Sequence, residues 1–154
     1  MSSRLGAFGM TAALVMGVGT SQCAPAASSP QAEIITITNQ RRAEAGVGPV
    51  TVDAILVGAA QRHSEDQARN DAMSHYGSDG SDAGSRIASS GYQGRGWGEN
   101  VASGYTDAAA VMSGWMASPG HRVNVLNGAF TDVGIGLAYA ADGTPYWTME
   151  LGQP

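Results

Sequence analysis

Apolar side chains recur every three or four residues over the first two thirds of the chain, which is the period of an α-helix. From Ala54 to Asn70 this spacing gives one apolar face made of Ile55, Leu56, Ala59, Ala60 and His63. Asp53 precedes the segment and is a suitable N-cap. A similar pattern from 32 to 45 ends at Gly46, where a loop through Thr51 follows. Both segments are therefore predicted to be helices.

The middle of the chain mixes shorter helices with polar and glycine-rich connections. One short helix is predicted from Ala83 to Ser90, and a longer one is predicted to be capped by Thr106 or Asp107 and to run through Met116. Residues 74 to 82 are rich in turn formers and are predicted to form a loop. The glycine-rich run from 91 to 100 is predicted to be irregular.

The period changes to strict alternation near the end of the chain. A hairpin signal, Ala-Asp-Gly-Thr at 141 to 144, separates two alternating segments whose larger members are Val133, Ile135, Leu137, Tyr139, Tyr146, Thr148 and Glu150. Two antiparallel strands are therefore predicted. Since so small a sheet is not stable alone in water, helices must cover it, and the pattern predicts an α+β fold. No internal repeat or second domain is visible, so residues 33 to 154 are predicted to be a single domain.

The N-terminal segment has the pattern of a secretory signal peptide. Arg4 precedes an apolar stretch, and the small residues Ala24-Pro25-Ala26 predict cleavage before Ala27. The apolar stretch is too short for a membrane anchor. Cys23, the only cysteine, leaves a lipoprotein alternative open, but Gln22 is bulky for such a signal. We therefore expect a signal peptide at 1 to 26, a linker at 27 to 32 and a secreted domain without disulfides.

The charge balance narrows the range of partners. The chain has 8 basic and 13 acidic residues, a formal net charge of −5, and the basic residues include no lysine. Removal of the signal peptide makes the net charge more negative, because Arg4 is the only charged residue of that peptide. An acidic surface without a basic run repels phosphate backbones and anionic lipids. Nucleic-acid binding and stable membrane insertion after signal cleavage are therefore not expected.

Two of the three histidines lie next to turn-forming residues. His75 belongs to the polar loop, and His121 follows Pro119 and Gly120, which are expected to break the preceding helix and to direct the imidazole sideways. His63 lies on the apolar face of a helix, where a hydrogen-bonded structural role is the better interpretation. Glu99, flanked by glycine, tryptophan and apolar residues, is expected to be partly buried and to need hydrogen-bond donors.

Five segments resemble successive signatures of the CAP superfamily, which comprises cysteine-rich secretory proteins, antigen 5 and pathogenesis-related proteins. They are SHYGSDGS at 74 to 81, GENVASG at 98 to 104, WMASPGHRVNVLN at 115 to 127, FTDVGIGLAYA at 130 to 140 and YWTMELG at 146 to 152. Their order is similar to that of the bacterial secreted branch. The resemblance implies an α-β-α sandwich with a surface cleft that holds a His, Glu, Glu, His tetrad.

The resemblance assigns three of the four tetrad positions. His75, Glu99 and His121 match the first histidine, the first glutamate and the second histidine, whereas the second glutamate falls on Ser118. His75 and His121 are therefore candidate ligands for zinc or another divalent metal, although a metal-free or weakly binding state is preferred and no cofactor is assigned with certainty. The predicted binding cleft comprises His75, Glu99, Asn100, Ser118 and His121.

Two main functional hypotheses follow, one for binding and one for catalysis. The preferred one is a non-catalytic module that binds a small apolar or lipid-like ligand, a peptide or a cell-envelope component. The alternative is a metal-dependent hydrolase with Glu99 as general base. An extracellular structural domain is a third possibility. A serine hydrolase is disfavoured because Ser118 lacks the G-x-S-x-G context, Met116 occupying the first glycine position.

Overall fold

The computed structural model describes residues 28 to 154. The predicted signal peptide and Cys23 lie outside these residues. Within them no helix is both long and apolar enough to cross a bilayer. The described chain forms, in order, α1 (Pro30–Glu44), β1 (Thr51–Val52), α2 (Ala54–Asn70), α3 (Ala83–Ser89), β2 (Gly96–Ser103), α4 (Ala108–Ala117), α5 (Pro119–Val125), β3 (Asp132–Tyr139) and β4 (Pro145–Gln153).

Side-chain caps fix where the helices begin. Asp53, Asp82 and Asp107 each accept a hydrogen bond from the first turn of the helix that follows them, which confirms the predicted cap of α2 and selects Asp107 for α4. The start of α1 differs from the prediction, because the helix begins at Pro30 inside the segment assigned to the linker 27 to 32. Ser29 caps that helix and proline suits its first turn.

The sheet has four strands in the order β1-β3-β4-β2. The hairpin of β3 and β4 confirms the predicted antiparallel pair. Strand β2 corrects the prediction of an irregular run, since Gly96–Ser103 pairs antiparallel with β4 along its whole length. Strand β1, in the predicted loop, pairs parallel with β3 over two residues. Both strands depend on partners distant in sequence, and glycine-rich or two-residue segments carry no local signal of such pairing.

Helices cover both faces of the sheet. On one face Val133, Ile135 and Met149 join a core with side chains of α1, α4 and α5. On the other face Gly134 and Gly136 allow the backbone of α2 to approach closely, since a Cβ on either would lie within 2.5 Å of α2 backbone atoms. The resulting three layers confirm the α-β-α sandwich and the α+β class.

The chain around His121 is helical, which corrects the expectation of a turn. Helix α4 ends at Ala117, and α5 begins at Pro119, the position in a helix that proline tolerates best. Val125 is fully buried, as expected for a residue that anchors the segment to the core. Val123, on the same helix, is 65% exposed.

Candidate functional site

Strand β2 presents two adjacent polar residues to opposite faces of the sheet, because successive side chains of a strand alternate. Glu99 lies in register with Glu150 of β4, and Asn100 lies in register with Met149. Met149 belongs to the core beneath α4 and α5, so Asn100 points to that face. Glu99 therefore points toward α2, α3 and the polar loop.

The Glu99 side chain is a buried acceptor at the centre of the site, and the residue is only 5% exposed. Its Oε1 lies 2.7 Å from His75 Nδ1, and Oε2 accepts a hydrogen bond from Arg86 Nη2. Arg86 also donates to the carbonyl oxygens of His75 and Ser81 and thereby ties α3 to the loop. Both oxygens of Glu99 are therefore engaged, and an adjacent guanidinium balances the charge.

His75 projects from the loop between α2 and α3, and 54% of its side chain is exposed. Since the Glu99 carboxylate accepts, the nitrogen that faces it, Nδ1, must carry the proton. That assignment leaves Nε2 available to a ligand. The predicted loop context of this histidine is confirmed.

His121 on α5 completes a pair of imidazoles. Its ring centroid is 6.5 Å from that of His75, and the ring planes are inclined by 43°. Partial burial, followed by the neighbouring His75, lowers the pKa of His121. The imidazoles of His75 and His121 therefore lie side by side, while their sharing of one cleft stays a prediction.

Asn100 packs against α5, and Ser118 directly precedes it. Asn100 is fully buried, and its Nδ2 donates to the carbonyl oxygen of His121 at 3.1 Å, while its Oδ1 accepts from Asn124 Nδ2. Asn100 thus fixes the position of α5 on the sheet and does not line the cleft. Ser118 is the residue between α4 and α5, and its side chain makes no cap hydrogen bond to α5.

Comparison with known proteins identifies this arrangement. The sequence profile of the CAP family, described as the cysteine-rich secretory protein family, matches residues 35–151. The chain belongs to this family. An uncharacterised protein of Bacillus subtilis (strain 168), YkwD, is 30% identical over 133 residues, which are 86% of this chain and 51% of YkwD. The uncharacterised membrane protein YlbC of the same organism is 30% identical over 71% of this chain and 32% of its own length.

Solved structures share the fold of this CAP-family chain. An extracellular protein of Bacillus anthracis str. Ames that contains an SCP domain superposes with a TM-score of 0.74 at 28% identity, over 81% of this chain and 40% of that one. An outer surface protein of Borrelia burgdorferi gives a TM-score of 0.74 at 18% identity, over 79% of this chain and 90% of the other. The chain spans about half the length of YkwD and about a third of YlbC, so it corresponds to one part of these larger relatives.

The cleft of this CAP-family protein has a volume of about 420 Å³. Its wall includes His75, Glu99, Tyr76, Trp97 and Asn124, whereas His121 is not part of this wall but lies next to His75. Tyr76 is 66% exposed and Trp97 is 49% exposed, so aromatic rings flank a polar floor. Nothing in the sequence pattern distinguished Tyr76 or Asn124 as cleft residues.

Three further charged or polar side chains lie close to Glu99. His63 is buried as predicted, bonds through Nε2 to the carbonyl oxygen of Ser74 at 2.8 Å, and lies 3.8 Å from Glu99 Oε2. Burial is the main cause that lowers the pKa of His63. Arg86 and Glu150 are the other two, and sequence reasoning assigned neither to the site. Their side chains come from α3 and β4, which meet Glu99 only in the folded chain.

The residues present do not fit a catalytic zinc centre. Such a centre needs three protein ligands and an open position. Glu99 is already engaged by His75 and by the Arg86 cation, which leaves the imidazoles of His75 and His121. Among residues 28 to 154, no group of three His, Cys, Asp or Glu side chains is arranged to hold a metal ion. The geometry therefore offers at most a two-histidine site.

Proposed function

We propose that this CAP-family protein is a secreted, non-catalytic module that binds a small ligand in the cleft beside His75, Glu99 and His121. The observation that carries the proposal is the state of Glu99, whose two oxygens are held by His75 and Arg86. A carboxylate fixed in this way is a poor general base, because a base must be free to accept the reacting proton. It serves well as a rigid support for the exposed imidazole above it.

The walls of the cleft indicate the kind of ligand. Exposed aromatic rings at Trp97 and Tyr76 offer flat apolar surface, and His75 and Asn124 offer hydrogen-bonding groups beside it. Sites of this composition orient a ligand with a few polar contacts and hold it by apolar area. A peptide or a cell-envelope component with both kinds of group suits the cleft, in keeping with the extracellular location of the Bacillus anthracis relative.

An apolar groove beside α5 extends the choice to lipid-like ligands. The groove has a volume of about 660 Å³, and its wall includes Met116, Pro119, Arg122, Val123 and Leu126. Helix α5 separates it from the cleft, since His121 faces His75 while Val123 lines the groove. A ligand with an acyl chain would place the chain here.

Tryptophan fluorescence provides a direct binding test. Of the three tryptophans, Trp115 and Trp147 are buried in the core, so Trp97 is the one whose emission a cleft ligand should change. We expect one of three probes, a tetrapeptide, a soluble disaccharide-peptide fragment of bacterial cell wall or a long-chain fatty acid, to change the emission in a saturable way. Trp97→Phe should abolish the signal.

Paired variants separate the cleft from the groove. His75→Ala combined with His121→Ala should weaken a cleft ligand by roughly tenfold, about 1.4 kcal/mol. Val123→Asp introduces a charge into the apolar groove on the other side of α5 and should leave such a ligand unaffected. If Val123→Asp weakens binding and the double histidine variant does not, the ligand binds in the groove instead. If none of the probes changes the emission in a saturable way, the binding proposal is contradicted.

A metal-dependent hydrolase is the second candidate, favoured only by the 6.5 Å separation of the two imidazole centroids. Calorimetric titration with zinc chloride distinguishes it from the first. We expect the wild-type protein and the His75→Ala, His121→Ala variant to show the same weak heats. Stoichiometric zinc binding that disappears in the variant, together with zinc-dependent hydrolysis of a peptide or ester, would support the hydrolase instead.

A further inference from the structure

Glu150 is a carboxyl group enclosed within the protein. The residue is fully buried in the middle of β4, and no side chain or backbone donor among residues 28 to 154 reaches either of its oxygens. The cation on the same side of the sheet, Arg86, is already paired with Glu99. An ionised carboxylate left in such a place would be very costly. Glu150 must therefore be present as the neutral acid.

Glu150 lies directly opposite Glu99. The two are register partners in the antiparallel pair of β2 and β4, and paired side chains in such a ladder lie on the same face of the sheet with their Cβ atoms about 5 Å apart. Burial and the adjacent Glu99 charge raise the pKa of Glu150 well above its usual range. A neutral Glu150 hydroxyl can donate to the Glu99 carboxylate, whose side chain lies within hydrogen-bonding reach of it.

We propose that Glu150 is a positioning residue of the cleft that holds the Glu99 carboxylate, and through it His75, from the inner side of the sheet. Glu99 then has three donors, with His75 and Arg86 on the cleft side and Glu150 beneath. The Glu150 hydroxyl, as the third donor, fixes the rotamer in which the Glu99 carboxylate accepts the hydrogen bond from His75 Nδ1. The role of this support in ligand binding rests on the proposed function. The hydrogen bonds that provide it involve only side chains of the free protein and need no ligand.

A positioning role predicts that stability and geometry respond differently to substitution. A buried carboxyl group contributes little to stability, and its replacement by an apolar group of similar volume is often neutral or stabilising. Glu150→Leu should therefore fold as well as the wild type or better. It should nevertheless lose the fixed orientation of His75, because leucine donates nothing to Glu99. Glu150→Gln keeps a neutral donor and should retain that orientation.

Histidine side-chain NMR reads the orientation directly, without any ligand. With histidine labelled in ¹⁵N, the wild type and Glu150→Gln should show His75 with the proton fixed on Nδ1 at pH 8. Glu150→Leu should lose this signature and give the mixed tautomers of a free imidazole. Infrared spectra of the wild type at neutral pH should contain the carbonyl stretch of a protonated carboxylic acid, and both variants should lack it.

Thr148→Val is the matched control for a merely structural effect. Thr148 is buried two residues away on the same face of β4, where its hydroxyl contacts Ser64 and Gln67 of α2 but not Glu99. This variant should lose stability and keep the His75 signature, which is the reverse of Glu150→Leu. The proposal is overturned if Glu150→Leu keeps the signature, if Glu150→Gln loses it, or if the wild type lacks the acid band. None of these outcomes depends on whether a probe binds the cleft.

Discussion

At the residue scale, the sequence identifies the residues that match the family's tetrad better than the residues that support them. His75, Glu99 and His121 were predicted because each matches a tetrad position in a family signature. Arg86 and Glu150 were not, because an arginine on a short helix and a glutamate in an alternating strand look like ordinary exposed residues. Only the register of β2 with β4 and the packing of α3 bring them to Glu99.

Glu150 should make the protein less stable as the pH rises. Its pKa is raised in the folded state, so between its ordinary value of 4.5 and the raised value the folded protein binds more protons than the unfolded chain. The free energy of unfolding should fall through that window by up to about 1.4 kcal/mol per pH unit. Glu150→Gln should remove this part of the decline, as urea denaturation at several pH values would show. Parallel curves for the two proteins would mean that Glu150 is ionised in the fold.

His63 should make the protein less stable as the pH falls. Burial lowers its folded pKa below the ordinary 6.5, so the unfolded chain binds the extra proton and stability falls as the pH drops below 6.5. Glutamine at this position retains an amide donor for the Ser74 carbonyl and does not titrate. His63→Gln should therefore flatten the acid limb of the same urea series. A slope equal to that of the wild type would contradict the neutral, buried state of His63.

At the element scale, local signals predicted the capped helices and the C-terminal hairpin but not the strands that complete the sheet. Asp53 and Asp107 mark helix starts because an N-cap is a local interaction. β2 is rich in glycine, and its pairing partner lies some fifty residues away, so its sequence resembles a loop. The site depends on that missed element, since β2 carries both Glu99 and Asn100.

Gly136 is one of two glycines at which the backbone of α2 lies directly against the sheet. A Cβ at this position would lie 2.2 Å from the carbonyl oxygen of Ala60, so the helix or the strand must shift. We expect Gly136→Ala to lower the free energy of unfolding by about 3 kcal/mol or more. Gly120→Ala is the matched control, because nothing lies within 4 Å of a Cβ there and alanine favours the helix. Equal effects of the two substitutions in urea denaturation would refute the close contact.

At the scale of the whole molecule, one buried arginine joins parts that lie far apart in sequence. Arg42 of α1 is fully buried and donates to the carbonyl oxygens of Gly48, Val125, Asn127 and Phe130. It thus fastens the first helix to the connection between α5 and β3. Four carbonyl acceptors from later segments cannot be read from the helical spacing of α1.

Arg42→Met should lower the free energy of unfolding by about 3 kcal/mol or more, since it leaves several buried carbonyls without donors. Lysine should not rescue it, because one ammonium group cannot reach four acceptors that a planar guanidinium fits. The neighbouring Arg41→Met provides the control, as its pair with Glu44 is exposed and contributes about 1 kcal/mol or less. Urea denaturation checks all three variants, and a mild effect of Arg42→Met would contradict the fastening role.

The central claim is that His75 and His121, brought together from separate segments, contact one ligand bound in the cleft. The three histidines of the chain supply both the probes and the control, because His63 is sealed inside the protein. In ¹⁵N-histidine spectra recorded during titration with the probe that changes Trp97 emission, the signals of His75 and His121 should shift with one shared midpoint while those of His63 stay in place. Shifts confined to His63, or no histidine shift at saturation, would contradict the account.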